Sequence, residues 1–299
     1  MTYMASVNHQ LPTLAPGASA GVTSYHLALT GFPLGHSLSP KIHAAALTAC
    51  GLQGDYSLFP ISPEDKQGLT NLLACVRNGE LHGLNVTIPH KQNVIPLLDE
   101  LTPTAQAIGA VNTIYLRDNK LIGHNTDAPG FLADLHQFLT KRQSEIENRK
   151  SALVLGAGGS ARAVVYSLLA DGWKVTLAAR RREQAEQLAA SFITHKLLIT
   201  SISDIRPSTF NLLVNATPLG MSPNVESSPL PDDVKLPGGT AIYDLIYNPR
   251  ETKLVRVARA QGCVAVTGLG MLIEQAALAF EIWTGRNPPR DMLRTATDN

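Results

Sequence analysis

At 299 residues with a net charge of +1, the chain is long for one domain and comfortable for two, and its apolar content is ample for real cores. It has no long basic tract, which removes the electrostatic footprint for nucleic acid or an anionic membrane surface and leaves small neutral or singly charged ligands as the open class. Cys50, Cys75 and Cys263 lie too far apart for a metal-ligand spacing and cannot all pair, and the nine histidines show no ligand-like spacing, so neither a disulfide framework nor a metal is expected and a reducing compartment fits.

Residues 1–24 carry no Lys or Arg. That argues against a secretory n-region and an arginine-rich transit peptide, and a disordered leader is expected. From Tyr25 to about Asp127, short apolar runs alternate with helical segments: "HLALTGFPLG", "SPKIHAAALTAC", "DYSLFPI", "PEDKQGLTNLLACV", "LHGLNVTI". This alternation predicts a parallel α/β sheet. "VNTIYLRDNKLIGHNTD" has turn chemistry at Arg117 to Lys120 between two apolar arms, which predicts a hairpin closing this half. The polar run 141–150 reads as a linker or a helix end. No apolar run anywhere reaches the length of a membrane-spanning helix.

The second half opens on "SALVLGAGGSARAVVYSLLADGWKVTLAARRR". Strand, glycine turn, helix and strand follow in the order of a mononucleotide-binding βαβ unit. Further strands are expected at "LLIT", "NLLVNAT", "AIYDLIY" and "CVAVTG". The last long helix, "GMLIEQAALAFEIW", is apolar almost all round, with Glu274 and Glu281 on its one wet line, and is expected to pack between the halves.

Gly156, Gly158 and Ala161 meet the G-x-G-x-x-G/A spacing, and Gly159 adds another residue without a side chain. The first glycine permits a tight turn, the second lets a pyrophosphate approach the backbone, and the helix N-terminus faces the anion. Where an NAD site would show an acidic residue for the ribose, the chain has Arg180, Arg181 and Arg182. Cations at a helix start oppose its dipole, whereas a 2′-phosphate accounts for them, so NADP is read over NAD, with Arg180 and Arg181 as its contacts.

In "GLNVTIPHK", Asn85 and Thr87 fall on one face of a strand and Val86 and Ile88 on the other. Pro89 ends the pairing and Lys91 is expected to open the next helix, placing an ammonium at the carboxyl end of the sheet, where ligands of open α/β sheets bind. In "GHSLSPKIHAAAL", Ser39 before Pro40 reads as an N-cap with proline at N1, while Ser37 has no capping role. Asp127 precedes a helix with proline in its first turn and reads as either cap or site residue. Gln275 falls in the apolar row Met271, Gln275, Leu278, Ile282, so its amide needs a partner.

"PLGHSLSPKIHAAAL", "LNVTIPHK", "AIGAVNTI", "GHNTD", "GAGGSARA", "NATPLGM", "YDLIYNP" and "GLGMLIEQAALAFEIWTG" together resemble the shikimate dehydrogenase family, in family order, from Gly31 to Gly285. The resemblance implies two α/β domains: an N-terminal substrate domain with a mostly parallel sheet, residues 25–127 plus 268–299, and a Rossmann-type NADP-binding domain, residues 128–267. It implies NADPH-dependent, reversible reduction of 3-dehydroshikimate to shikimate in the pathway to chorismate and the aromatic amino acids, by a cytoplasmic monomer or homodimer. Ser37, Ser39, Asn85, Thr87, Asn112, Asp127, Tyr247 and Gln275 match the family's substrate contacts, and Lys91 and Asp127 its catalytic pair. Gly156, Ala157, Gly158, Gly159, Ser160, Arg180, Leu245 and Gly268 match cofactor positions. The family's usual Asn-Arg-Thr is Ala179-Arg180-Arg181 here and a later basic position is Gln184, so Arg181 is the compensating contact.

Lysine carries a proton at neutral pH and suits an alkoxide that must be stabilised and protonated. Lys91 and Asp127 are assigned as a coupled pair, not as one acid and one base. Two hydroxyls at a helix N-terminus, Ser37 and Ser39, suit a substrate carboxylate. The competing readings are a quinate or dual quinate/shikimate dehydrogenase using NAD or NADP, and a noncatalytic NADP-binding sensor. A sensor needs neither Lys91 nor Asp127. The "SLSP" and "NTD" segments do not suit a methylenetetrahydrofolate dehydrogenase, which shares the general two-domain plan.

Overall fold

The computed structural model describes residues 24–140, 150–192, 197–205 and 209–298. The expected leader therefore lies outside the described residues but for Ser24, and the polar run 141–150 but for Lys150. Among the described residues the strands form two six-stranded sheets.

The first sheet has the order β2-β1-β3-β5-β6-β4, from β1 (Tyr25–Gly31), β2 (Gly54–Pro60), β3 (Gly83–Val86), β4 (Glu100–Leu101), β5 (Thr113–Arg117) and β6 (Lys120–His124). β1 runs parallel to β2 and β3, and β4 parallel to β6, while β5 is antiparallel to both neighbours. The predicted hairpin is β5–β6, and Asp118 and Asn119 turn it with positive φ of 51° and 60°. That is the primed-turn geometry that matches strand twist and that short polar residues tolerate. α1 (Ser39–Ala49), α2 (Lys66–Arg77) and the short α3 (Pro103–Ile108) are the helices of this half.

α4 (Asp127–Leu139) leads to the second sheet, whose strands are β7 (Ser151–Leu155), β8 (Lys174–Ala178), β9 (Leu198–Thr200), β10 (Leu212–Asn215), β11 (Ala241–Asp244) and β12 (Val264–Thr267), with α5 (Gly159–Ala170), α6 (Arg182–Ala190) and α7 (Lys253–Ala260). All six strands are parallel in the order β12-β11-β10-β7-β8-β9. The order reverses between β7 and β10, and ligands of such sheets bind at that switch point beyond the carboxyl ends. α3, β4 and α7 go beyond what the sequence pattern predicts, although α3 is bounded by a Thr102 capping bond, Pro103 and the left-handed Gly109, and α7 starts on a Thr252 capping bond.

α8 (Leu269–Thr284) and α9 (Arg290–Ala296) return to the first half. Ile273, Ala276, Phe280 and Trp283 share one core with Leu27, Ile42 and Tyr115, while Met271 joins the core under the second sheet. Full burial of a side chain such as Phe280 or Ile273 contributes about 1.5–3 kcal/mol, so one apolar helix fastens both halves. Trp283 lies so close over β3 that a Cβ on Gly83 would sit 2.3 Å from its ring. α4 crosses α8 equally tightly, since a Cβ on Gly130 would sit 2.8 Å from the Gln275 nitrogen. No helix among the described residues is long and apolar enough to cross a membrane.

Candidate active site

The carboxyl ends of both sheets face one cleft of about 280 Å³. One wall carries Ser37, Ser39, Asn85, Thr87, Lys91, Asn112, Asp127 and Gln275; the other carries Ser160, Leu245, Tyr247 and Gly268. Residues predicted from separate stretches of sequence thus meet in one place.

Lys91 is at its centre, but not on a helix. Residues 88–94 form a turn, followed only by a 3₁₀ segment, Ile95–Leu97. The turn is anchored where His90 Nε2 donates to the Ile61 carbonyl at 2.7 Å and the Val111 N–H donates to the Lys91 carbonyl at 2.7 Å. The expected alternation also stops early: β3 ends at Val86, so Thr87 links it to the turn, Ile88 opens the turn, and both line the cleft. Lys91 Nζ donates to Asp127 Oδ2 at 2.5 Å and to Ser160 Oγ at 3.2 Å, with side chains only 11% and 5% exposed for Lys91 and Asp127. A Cβ on Gly159 would lie 2.9 Å from Lys91 Cβ. The first turn of the nucleotide helix is therefore pressed directly against this lysine.

Asp127 is the first residue of α4, preceded by Thr126 at the N-cap, whose hydroxyl makes no capping bond; Asn125 Oδ1 instead accepts from the Ala128 N–H at 3.1 Å. Released from capping, Asp127 Oδ1 accepts from Asn112 Nδ2 at 2.9 Å. The same Asn112 amide reaches Thr126 Oγ1 at 2.9 Å and Gln275 Oε1 at 3.1 Å, which supplies the partner that Gln275 requires. Gln275 Nε2 donates to the Leu272 carbonyl at 2.9 Å. Asn85 Nδ2 donates to the Asn112 carbonyl at 3.1 Å, and its Oδ1 accepts from the Tyr56 hydroxyl at 2.8 Å.

The serines exchange their expected roles. Ser39 is the first helical residue of α1, with Leu38 at the N-cap and Pro40 one place later than expected, and its N–H donates to Ser37 Oγ at 3.2 Å. Ser37 is thus the hydroxyl that satisfies a free N–H of the helix start. Both hydroxyls still line the cleft at the α1 N-terminus, where the helix dipole favours an anion. Burial pushes the Tyr247 phenol up, opposed by hydrogen bonds from Ser37 and the Leu38 backbone.

On the other wall, Gly156 has φ of +109°, and a Cβ there would lie 2.9 Å from the Ala216 carbonyl, so β7 and β10 meet at a position only glycine fills. A Cβ on Gly158 would meet no atom within 4 Å. Its lack of a side chain is not needed for packing and leaves the α5 N-terminus open to a pyrophosphate. Ala161 is fully buried between helix and sheet. Arg180 and Arg181 stand outside the cleft, beyond the β8 end that pairs with the glycine loop. Arg182 pairs with Glu186 at 2.8 Å within α6, whereas no ion pair forms at Arg180 or Arg181 among the described residues. That leaves two cations beside the turn where a ribose phosphate would lie.

Sequence reasoning missed the support beneath this wall. Asp244 is fully buried at the end of β11 and accepts from Asn215 Nδ2 at 2.9 Å, the Ile246 N–H at 3.1 Å and Thr252 Oγ1 at 2.7 Å. Asn215 Oδ1 in turn accepts from Thr217. Burial pushes the Asp244 carboxyl up to about 6 against these hydrogen bonds. The signal was present: a lone carboxylate inside "AIYDLIY" demands partners. Among the described residues, no group of histidine, cysteine or acidic side chains is placed to hold a metal ion.

The sequence matches the models of the shikimate dehydrogenase substrate binding domain over residues 29–114, of shikimate/quinate 5-dehydrogenase over 139–218, and of the shikimate 5′-dehydrogenase C-terminal domain over 268–296. It is 43% identical over 279 residues to a shikimate dehydrogenase (NADP(+)) of Symbiobacterium thermophilum, an alignment covering 90% of this chain and 92% of that one. The chain belongs to the shikimate dehydrogenase family. Among solved structures it is similar to the shikimate 5-dehydrogenase of Thermus thermophilus in complex with NADP(H) and shikimate, with a TM-score of 0.80, 38% identity and coverage of 92% and 98% of the two chains. It is equally similar in fold to a quinate dehydrogenase of Corynebacterium glutamicum in complex with NAD, with a TM-score of 0.80, 32% identity and the same coverage. Shared fold therefore leaves the choice of acid and cofactor to individual side chains.

Proposed function

We infer that the protein is a shikimate dehydrogenase that reversibly reduces 3-dehydroshikimate to shikimate with NADPH, in the route to chorismate and the aromatic amino acids. The observation that carries the reading is Lys91 Nζ, held between Asp127 Oδ2 at 2.5 Å and Ser160 Oγ at 3.2 Å where the two walls meet. NADPH, when bound, supplies a hydride to the ketone carbon. Lys91 donates a hydrogen bond and then a proton to the carbonyl oxygen, and the Asp127 carboxylate keeps the ammonium aimed at it. In the oxidising direction the pair takes the hydroxyl proton.

Ser37 and Ser39 receive the substrate carboxylate at the α1 N-terminus, with Tyr247 completing that end. Thr87, Asn85, Asn112, Asp127 and Gln275 read the ring oxygens. Gly156, Ala157, Gly158, Gly159 and Ser160 take the pyrophosphate, Arg180 and Arg181 the 2′-phosphate, and Leu245 and Gly268 border the nicotinamide end. The substrate-binding part is residues 25–127 with 268–299, and the cofactor part is 128–267. The three cysteines form no disulfide among the described residues, which supports a cytoplasmic enzyme, acting as a monomer or homodimer.

Nicotinamide absorbance followed with shikimate and with quinate, each against NADP and NAD, tests this reading. Fast turnover of shikimate with NADP alone supports it. Turnover of quinate, or with NAD, favours the dual-specificity reading suggested by the likeness to the quinate dehydrogenase. A folded protein that binds NADP but turns over no pair would point to a sensor.

A further inference from the structure

Tyr56 lies outside the cleft lining and matches none of the residues assigned above, yet it is bonded to one of them. It stands on the edge strand β2 opposite Leu27 of β1, while Asn85 of β3 stands opposite Leu29. The two side chains share a face of the sheet, and the phenol reaches across β1 to donate to Asn85 Oδ1 at 2.8 Å. The orientation of that amide is forced. Asn85 Nδ2 donates to the Asn112 carbonyl at 3.1 Å, an acceptor without a proton, and to Thr113 Oγ1 at 3.4 Å, so the amide oxygen points the other way, towards the phenol.

The phenol is itself braced. The fully buried His43 ring stacks on it at 4.2 Å between centroids with 5° between planes. Phe280 and Trp283 of α8 pack against His43 on its other sides, at 6.2 Å and 5.6 Å. Neither His43 nitrogen makes a hydrogen bond of good geometry, and burial lowers the ring to about 3 against a smaller opposing pull from the nearby Asn85 amide, so the stack is neutral. The Tyr56 hydroxyl lies beside Ser39 and Tyr247, at the end of the cleft given to the carboxylate.

We propose that Tyr56 is a positioning residue that completes a clamp on the Asn85 amide: the phenol holds its oxygen while Asn112 and Thr113 hold its nitrogen, which fixes the Asn85 side chain where it borders the cleft. Tyr56 acts through Asn85 and not by touching the substrate. The inference rests on the assignment of Asn85 as a substrate contact.

The test is a double-mutant cycle in the full-length enzyme with Tyr56→Phe, Asn85→Ala and both, reading kcat, KM for shikimate, KM for NADPH and melting temperature. Tyr56→Phe removes one hydroxyl and opens no cavity, so the fold is retained. It is expected to raise KM for shikimate about five- to tenfold, the size of one hydrogen bond, with kcat and KM for NADPH within about twofold. In the Asn85→Ala background the same change should add less than about twofold, because a residue acting through another has nothing left to act on. Additive effects, or an unchanged KM in Tyr56→Phe when Asn85→Ala does raise it, would overturn the role of Tyr56; a lower melting temperature with unchanged KM would make it purely structural. An unchanged KM in Asn85→Ala would instead remove Asn85 from the substrate site, and the inference with it.

Discussion

The two walls of the cleft are built on opposite plans. The substrate wall is a closed mesh of side chains: Asn112 alone ties Thr126, Asp127 and Gln275 together, and Asp127 carries the bond on to Lys91. The cofactor wall offers backbone, with glycines at 156, 158 and 159, and places Arg180 and Arg181, which form no ion pair among the described residues, outside the cleft. A small hydroxylated acid has to be told from close analogues by directed hydrogen bonds, so the donors and acceptors are fixed before it arrives. A dinucleotide phosphate is bound by N–H groups and charge that many sequences supply, and only the 2′-phosphate needs a side chain.

The largest effect should come from the group that joins the walls. Lys91→Ala is expected to lower kcat about 10²- to 10⁴-fold, the range for a general acid, while KM for shikimate stays within about a few-fold. Steady-state kinetics in both directions checks this, and a small change in kcat would take the proton chemistry away from Lys91. Next in size is the cofactor wall: Arg180→Ala with Arg181→Ala should raise KM for NADPH about tenfold or more and leave KM for NADH unchanged. Solvated charges are screened, so the difference from the parent enzyme should shrink at high ionic strength, unlike any loss on the substrate wall. An equal loss for both cofactors would mean that the arginines read no phosphate.

Ser37→Ala should raise KM for shikimate about threefold to tenfold. A small fall in melting temperature is expected too, since Ser37 Oγ accepts the Ser39 N–H; a fall with no change in KM would leave Ser37 as a cap alone. The smallest effect is on stability. Asp244 holds its proton to about 6 in the fold against 3.8 for the free side chain. Between those values the native state binds the extra proton, so this group's contribution to stability is greatest at the acid end and declines as pH rises through about 6. Asp244→Asn should flatten that part of the melting-temperature profile between about pH 4 and 6. His124, buried and lowered to about 4, acts in the opposite sense: its contribution is lost as pH falls from about 6.5 through 4. Measuring the variant against its parent isolates the part due to Asp244.

The glycine turn, the β5–β6 hairpin, the apolar α8 and the trio Asn85, Thr87 and Lys91 were all legible in the sequence. Each is a local consequence of backbone sterics, of which side chains avoid water, or of a polar residue standing where an apolar one belongs. Boundaries were less legible. Lys91 sits in a turn and not a helix, and Ser37, not Ser39, takes the capping bond, because helix ends are decided by whichever partner is nearest in space. Only the tertiary structure could bring the Gln275 amide to Asn112, 163 residues away in the chain, set Tyr56 against Asn85 across an intervening strand, or place Asp244 beneath two loops. The sequence determined which residues had to find partners. Their identity depended on how two sheets and one shared helix dock, a property of packing between distant segments that no local pattern encodes.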